Sequence, residues 1–121
     1  NSLYSNTTGY FNSAMGYSSL YHNTTGNNNS ALGNEALYYN TTGFSNIAVG
    51  TKSLWSNTTI SHLIAIGDSA LFNNGTGASG DDEGTKNLAI GSKAMYTNTK
   101  GHHNCAEGFR SLYSNTTGSY N

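Results

Sequence analysis

The sequence is a tandem repeat with a period of 17 residues, and this feature limits the folds open to it. A leucine, once replaced by methionine, recurs at that spacing, with a single longer step of 24 residues. The series is Leu3, Leu20, Leu37, Leu54, Leu71, Met95 and Leu112. Because like residues recur at a fixed spacing, each copy is expected to be one structural unit that stacks on its neighbours.

Three further series keep the same spacing and the same single longer step. The alanines are Ala14, Ala31, Ala48, Ala65, Ala89 and Ala106, and the glycines are Gly16, Gly33, Gly50, Gly67, Gly91 and Gly108. The aromatic residues that directly follow the leucines are Tyr4, Tyr21, Tyr38, Trp55, Phe72, Tyr96 and Tyr113. We interpret the leucines and alanines as core ladders, the glycines as turn residues, and the aromatic residues as chain–chain contacts or a binding surface.

Seven extra residues account for the longer step, and they fall within residues 74–86. This insertion contains the acidic run Asp81, Asp82 and Glu83 among glycines, and it lies between the leucine and alanine series. It is therefore predicted to be a loop extruded from one turn of the repeat.

Each unit is predicted to be extended rather than helical. Glycine recurs within four residues of the leucine, and Asn-Thr-Thr-Gly follows it in most copies, so a helix has about one turn in which to form. We expect two short strands per unit, one ending at the glycine series and one through the leucine and the aromatic residue. The fold class is thus all-β, a parallel β-roll or β-solenoid with one 17-residue coil per repeat.

Composition limits what such a coil can do alone. Asn, Ser, Thr and Gly make up 64 of the 121 residues, and only 9% of residues are charged. Scattered charges argue against nucleic acid as a partner, and no apolar run is long enough for membrane insertion by this segment. The few apolar side chains of one coil offset little of its ordering entropy, so we expect chains to share a core.

The segments Ala-Ile-Gly-Asp-Ser-Ala-Leu at 65–71 and Ala-Leu-Gly-Asn-Glu-Ala-Leu at 31–37 resemble the head repeats of trimeric autotransporter adhesins, as does 89–95. The unit with Leu-Tyr-x-Asn-Thr-Thr-Gly is similar to repeats of phage and other viral tail-fibre-like proteins. The resemblance covers residues 1–121 and implies a left-handed homotrimer within a longer fibre protein at the cell or virion surface. It also implies a host receptor, glycan or matrix as partner. The unit is longer here than in adhesin heads, and the insertion has no counterpart there.

No catalytic, cofactor or metal site is predicted, since a repeat presents one residue many times whereas catalysis needs different residues to converge. Turn positions are expected for the four histidines and the single cysteine, which are His22, His62, His102, His103 and Cys105. Only a trimer, which would bring three copies of His102 or His103 together, could assemble a metal site from them. The acidic run is interpreted as a solvated loop rather than a Ca²⁺ site.

Asparagine occupies two further series. The sequons at Asn6, Asn23, Asn40, Asn57 and Asn115 are formal glycosylation acceptors, which we interpret as turn residues that cap their own backbone. The second series is Asn12, Asn29, Asn46, Asn87 and Asn104. Its side chains are expected to point inward and to stack through amide hydrogen bonds.

The function predicted from these patterns is a structural or adhesive segment of a surface fibre, with attachment through the aromatic residues and through turn residues such as Tyr10, Phe44 and His62. An alternative is an ice- or glycan-binding solenoid that uses a ladder of threonines and aromatic residues. The threonines are Thr7, Thr24, Thr41 and Thr58. A third possibility is a solitary solenoid that polymerises end to end.

Overall fold

The computed structural model describes residues 1–121 and shows an all-β chain. Six strands of three residues each form one parallel sheet in which every strand lies beside the next one in sequence. The strands are β1 (Ser13–Met15), β2 (Ser30–Leu32), β3 (Ile47–Val49), β4 (Ile64–Ile66), β5 (Leu88–Ile90) and β6 (Cys105–Glu107). The predicted β-solenoid is confirmed, with about six turns.

Strand register follows the repeat. Ala31 pairs with Ala14 on one side and with Ala48 on the other, and this pattern continues across the insertion, where Ala65 pairs with Ala89. Because side chains alternate along a strand, the central alanine points inward while its two neighbours point outward. The alanines of β2 to β6 are accordingly no more than 2% exposed.

The leucine ladder fills the interior opposite these alanines. Leu20, Leu37, Leu54, Leu71 and Met95 are fully buried and belong to one core cluster with the alanines. Leu3 and Leu112 are partly buried and pack against the same cluster from its two ends. Each coil therefore buries like residues above like residues along the whole rod.

The second strand that we predicted through the leucine segment is wrong. Leu20, Leu37 and Leu54 have φ angles of 50°, 52° and 52°, in the left-handed region that no strand uses. The segment still bonds to the next coil, as the Leu20 N–H donates to the Ala36 carbonyl at 3.0 Å. A 17-residue coil has to bend back on itself here, and buried leucines stacked coil on coil hold a backbone conformation that costs about 1–2 kcal/mol per residue.

The glycine ladder marks the closest approach between coils. Gly33 has a φ of +138°, and a Cβ at this position would lie 2.6 Å from the carbonyl oxygen of Gly50. A side chain is excluded both by the conformation and by the next coil, which accounts for glycine at this point of each repeat from Gly16 to Gly91.

The insertion between β4 and β5 is a loop anchored on the coil that follows it. The N–H groups of Gly75 and Gly84 each donate at 2.9 Å, to the carbonyls of Thr99 and Lys100 respectively. The extra residues therefore leave the stack on one side without displacing the ladders. The chain contains no helix of the length and apolarity needed to cross a membrane.

Candidate functional site

The outward side of the sheet is a strip of apolar side chains, which we name the strand face. It consists of the first and third residues of each strand: Ser13, Met15, Ser30, Leu32, Ile47, Val49, Ile64, Ile66, Leu88, Ile90, Cys105 and Glu107. Met15 is 70% exposed and Leu32 is 48% exposed, while Ile47, Ile64, Ile66 and Ile90 are 36–40% exposed. Contiguous exposed apolar surface of this kind marks interaction sites in soluble proteins.

The strand face changes character along the rod. Isoleucine and leucine side chains dominate β3 to β5, whereas small serines leave a depression of about 180 Å³ over β1 and β2. At β6 the face ends in the free Cys105 and in Glu107, both exposed. The middle three strands thus offer the most continuous apolar surface.

The aromatic ladder forms a second continuous surface. All seven rings from Tyr4 to Tyr113 stack on their neighbours, with centroids 5.0–6.1 Å apart and planes within 15° of parallel. Except for the exposed Tyr4, these rings are half-buried. Burial and the neighbouring Tyr39 raise the pKa of Tyr38. The rings therefore find their first partners within the chain, in near-parallel stacks.

The asparagines of the Asn-Thr-Thr turns lie inside the coil. The Nδ2 group of Asn40 donates to Asn23 Oδ1 at 2.8 Å and to the Gly43 carbonyl at 3.0 Å, and the Asn40 side chain is fully buried. Asn23 and Asn57 are equally buried and make the same kind of contacts. A glycan on any of these three amides is incompatible with the folded coil, because Nδ2 has no access to solvent.

The prediction that the second asparagine ladder stacks amide on amide is wrong. Asn29 Nδ2 donates to the Gly43 carbonyl at 2.8 Å, and Asn29 Oδ1 accepts from the Asn46 backbone N–H at 3.1 Å. These side chains bridge backbone groups of adjacent coils that lack strand partners. The amide-to-amide ladder belongs instead to the sequon asparagines.

The threonines proposed as a flat binding ladder are committed to the next coil. The hydroxyls of Thr7, Thr24 and Thr41 donate to the carbonyls of Thr24, Thr41 and Thr58 at 2.9–3.1 Å. The threonine that follows in each turn is exposed and makes no such bond at Thr25, Thr42 and Thr59. The regular hydroxyl surface is therefore displaced by one residue from the ladder that we predicted.

The largest cleft of the molecule, about 480 Å³, lies between the insertion and the turn that precedes β4. Phe44 and His62 line its coil side, with ring centroids 5.0 Å apart, and Asp81 and Asp82 line its loop side. The repeat thus brings two of the predicted turn residues, Phe44 and His62, together with the acidic run of the insertion.

Two residues of the turn before β4 were missed by sequence reasoning, and one of them, Ile60, lines this cleft. Ile60 and Leu63 stand where other copies have glycine and asparagine, and both are buried. A Cβ on Gly75 would lie 2.7 Å from Ile60 Cγ1, so the insertion passes directly over this side chain. These two replacements could have been found in the sequence, because both fall in the repeat immediately before the insertion.

Glu83 and the histidine pair have local partners. Glu83 accepts hydrogen bonds from the Ser79 and Gly80 N–H groups and lies 3.6 Å from Lys100, and the two backbone bonds hold the Glu83 pKa below its usual value. His102 Nδ1 and His103 Nδ1 are 2.8 Å apart, beside the Tyr120 ring. No group of three or more His, Cys, Asp or Glu side chains is placed to hold a metal ion.

Comparison of the chain with protein-family models, with curated proteins and with solved structures finds no match.

Proposed function

We propose that this chain is a structural and adhesive segment of an extracellular or virion surface fibre. In this proposal three copies associate in parallel as a left-handed β-roll, and the segment has no catalytic role. The observation that carries the proposal is the strand face, whose exposed apolar side chains are most continuous from β3 to β5 and have no partner within the chain. The resemblance of the Ala-Ile-Gly units to trimeric adhesin heads supports the number of chains and the hand of the coil.

The strand face gives a physical reason for association. Each of its isoleucines keeps more than a third of its surface in water, so covering one contributes roughly 1 kcal/mol. A solenoid repeats this gain along its length, so the free energy of association increases with the number of coils. Association therefore supplies the apolar burial that the polar composition of one coil lacks.

Copies of the same chain fit this face best. The face is narrow and periodic, with outward residues in register from one strand to the next, as Ile47 beside Ile64 shows. A parallel copy presents the same period, so every coil meets an identical coil at the same height. Association around a common axis then covers the strand face of each chain while the turns remain outside.

The mass of the chain in solution tests this proposal. Sedimentation equilibrium is expected to give about three times the 12.8 kDa of one chain. The double variant I64D/I66D is expected to abolish association, because it places two carboxylates in each copy of the interface. The matched control T25D/T42D adds the same charge on exposed turn residues and leaves the mass unchanged. A monomeric parent chain, or one that grows without limit, contradicts the proposal.

The alternative of an ice-binding solenoid is favoured by one observation, the exposed threonines Thr25, Thr42 and Thr59 in successive turns. Thermal hysteresis of the parent chain separates the two functions. A fibre segment is expected to show none, whereas hysteresis that disappears in T25D/T42D establishes the alternative.

A further inference from the structure

The insertion at residues 74–86 interrupts an otherwise regular rod and creates its largest cleft. Insertions in solenoids are carried on one face as loops, and such loops commonly build the binding surface. In this chain the loop covers the side chain of Ile60 and leaves an open space of about 480 Å³ between itself and the turn before β4.

The loop is held in a fixed shape by its own hydrogen bonds. Glu83 accepts from the Ser79 and Gly80 N–H groups at 2.7 and 3.2 Å, and Thr85 Oγ1 donates to the Asp82 carbonyl at 2.8 Å. Asn74 Nδ2 donates to Gly84 from the buried side. A site lined by this loop is therefore largely formed before any ligand arrives, which lowers the entropy cost of binding.

The groups that face the cleft are polar and mostly uncommitted. Asp81 makes no hydrogen bond or ion pair within the chain, and Asp82 is paired only with the exposed Lys86 at 3.2 Å. On the other side stands the Phe44 ring, 42% exposed, with the His62 ring in a T-shaped contact with it. The cleft thus combines one aromatic platform with hydrogen-bond acceptors and donors at the facing wall.

We propose that this cleft binds a neutral hexopyranose unit of a glycan. The apolar C–H face of a pyranose packs on the Phe44 ring, while its hydroxyls donate to the carboxylates of Asp81 and Asp82 and accept from Lys86 or His62. A phosphate or sulfate ligand is disfavoured by the two carboxylates. A purely apolar ligand would leave them without partners, since only three of the twelve lining residues are hydrophobic.

This inference rests on the proposed adhesive function and names its site, but all of the cleft residues come from one chain. Three copies in one fibre then present three equal sites, and weak single contacts gain strength through linkage. Because assembly uses the strand face and binding uses the cleft, the two proposals fail separately.

Titration of the assembled chain with the methyl glycosides of glucose, galactose, mannose and N-acetylglucosamine tests the site, with amide NMR shifts as the readout. At least one of them is expected to shift resonances of the loop and of the turn carrying Phe44. F44A and D81N are each expected to weaken binding about tenfold, as loss of one charge-assisted hydrogen bond or one ring contact does.

The matched control is Y10A, since Tyr10 occupies the same turn position as Phe44 in a coil that does not line the cleft. Y10A is expected to bind like the parent chain, and the sedimentation mass of all three variants is expected to be unchanged. Absence of shifts with all four glycosides, or equal loss in Y10A and F44A, overturns the inference. Shifts produced by Ca²⁺ alone, with none from any glycoside, also overturn it.

Discussion

Replacing Asn40 by alanine is expected to destabilise the rod more than the same replacement of Asn57. Both side chains are fully buried and lie one above the other in the sequon ladder, joined by the bond from Asn57 Nδ2 to Asn40 Oδ1 at 3.0 Å. Each substitution removes the same atoms from a fully buried position in the same ladder, so the cavities that they leave are similar in size. The difference between the two variants therefore reports on hydrogen bonding.

The two residues differ at one oxygen. Asn40 Oδ1 has its partner, whereas Asn57 Oδ1 is buried without one. Asn74, the next member of the ladder, directs its Nδ2 to the Gly84 carbonyl of the insertion instead. Asn57→Ala thus removes an acceptor that is already unsatisfied, while Asn40→Ala removes a bonded one.

The size of the difference follows from these contacts. A buried hydrogen bond contributes about 1 kcal/mol, and a buried acceptor without a partner costs about 1–3 kcal/mol. Asn40→Ala is therefore expected to lower the free energy of unfolding by about 2 kcal/mol more than Asn57→Ala does.

Urea denaturation at equal chain concentration measures this difference, because association makes the apparent stability depend on concentration. The exposed Thr42→Ala serves as the control and is expected to stay within about 0.5 kcal/mol of the parent. Equal losses for Asn40→Ala and Asn57→Ala, or a greater loss for Asn57→Ala, would refute the reasoning.

Two further expectations concern the glycine ladder and the insertion. Gly50→Ala is expected to destabilise the chain by about 1–3 kcal/mol more than Gly108→Ala. Both glycines have positive φ, but only at Gly50 would the new Cβ meet the next coil, at 2.6 Å, and thermal unfolding of both variants checks this. The pKa of Glu83 is lower in the folded chain than in the unfolded chain. The stabilisation that Glu83 gives to the loop is therefore present above the pKa of the unfolded chain and is lost as the pH falls through the pKa of the folded chain. The amide shifts of Ser79 and Gly80 are expected to titrate below about pH 4.3, and a midpoint at or above that value contradicts the assignment.

The parts of the fold that the sequence predicts are those that depend on the repeat period. Ala31 and Ala48 lie side by side because coils stack in register, and the spacing alone contains that information. The path of the backbone within one coil does not follow from the repeat period. Leu37 takes a φ of 52° because a short coil has to close, and this closure depends on all 17 residues together rather than on the local preference for strand.

The surfaces were predictable to a lesser degree. Alternation along a strand predicts that Ile64 and Ile66 point outward when Ala65 points inward. The contact surface was instead predicted at the rings of the leucine-aromatic segment, which was interpreted as a second strand. The cleft required knowledge of where the insertion folds. Its position in the sequence does not show that Asp81 lies across from Phe44, since that proximity arises from the bonds that tie Gly75 and Gly84 to the following coil.

Stacking in register also means that the number of repeats sets the length of the rod. Each unit of 17 residues advances the rod by one strand spacing, about 4.8 Å, so that length is gained or lost only in whole steps. Removing residues 47–63, which begin with Ile47 of β3, joins β2 to β4 with every ladder still aligned. Removal of a single residue from the same region leaves that coil too short to keep its alanine, leucine and glycine in their columns together, so gain or loss of entire units is the natural way for such a rod to change its length.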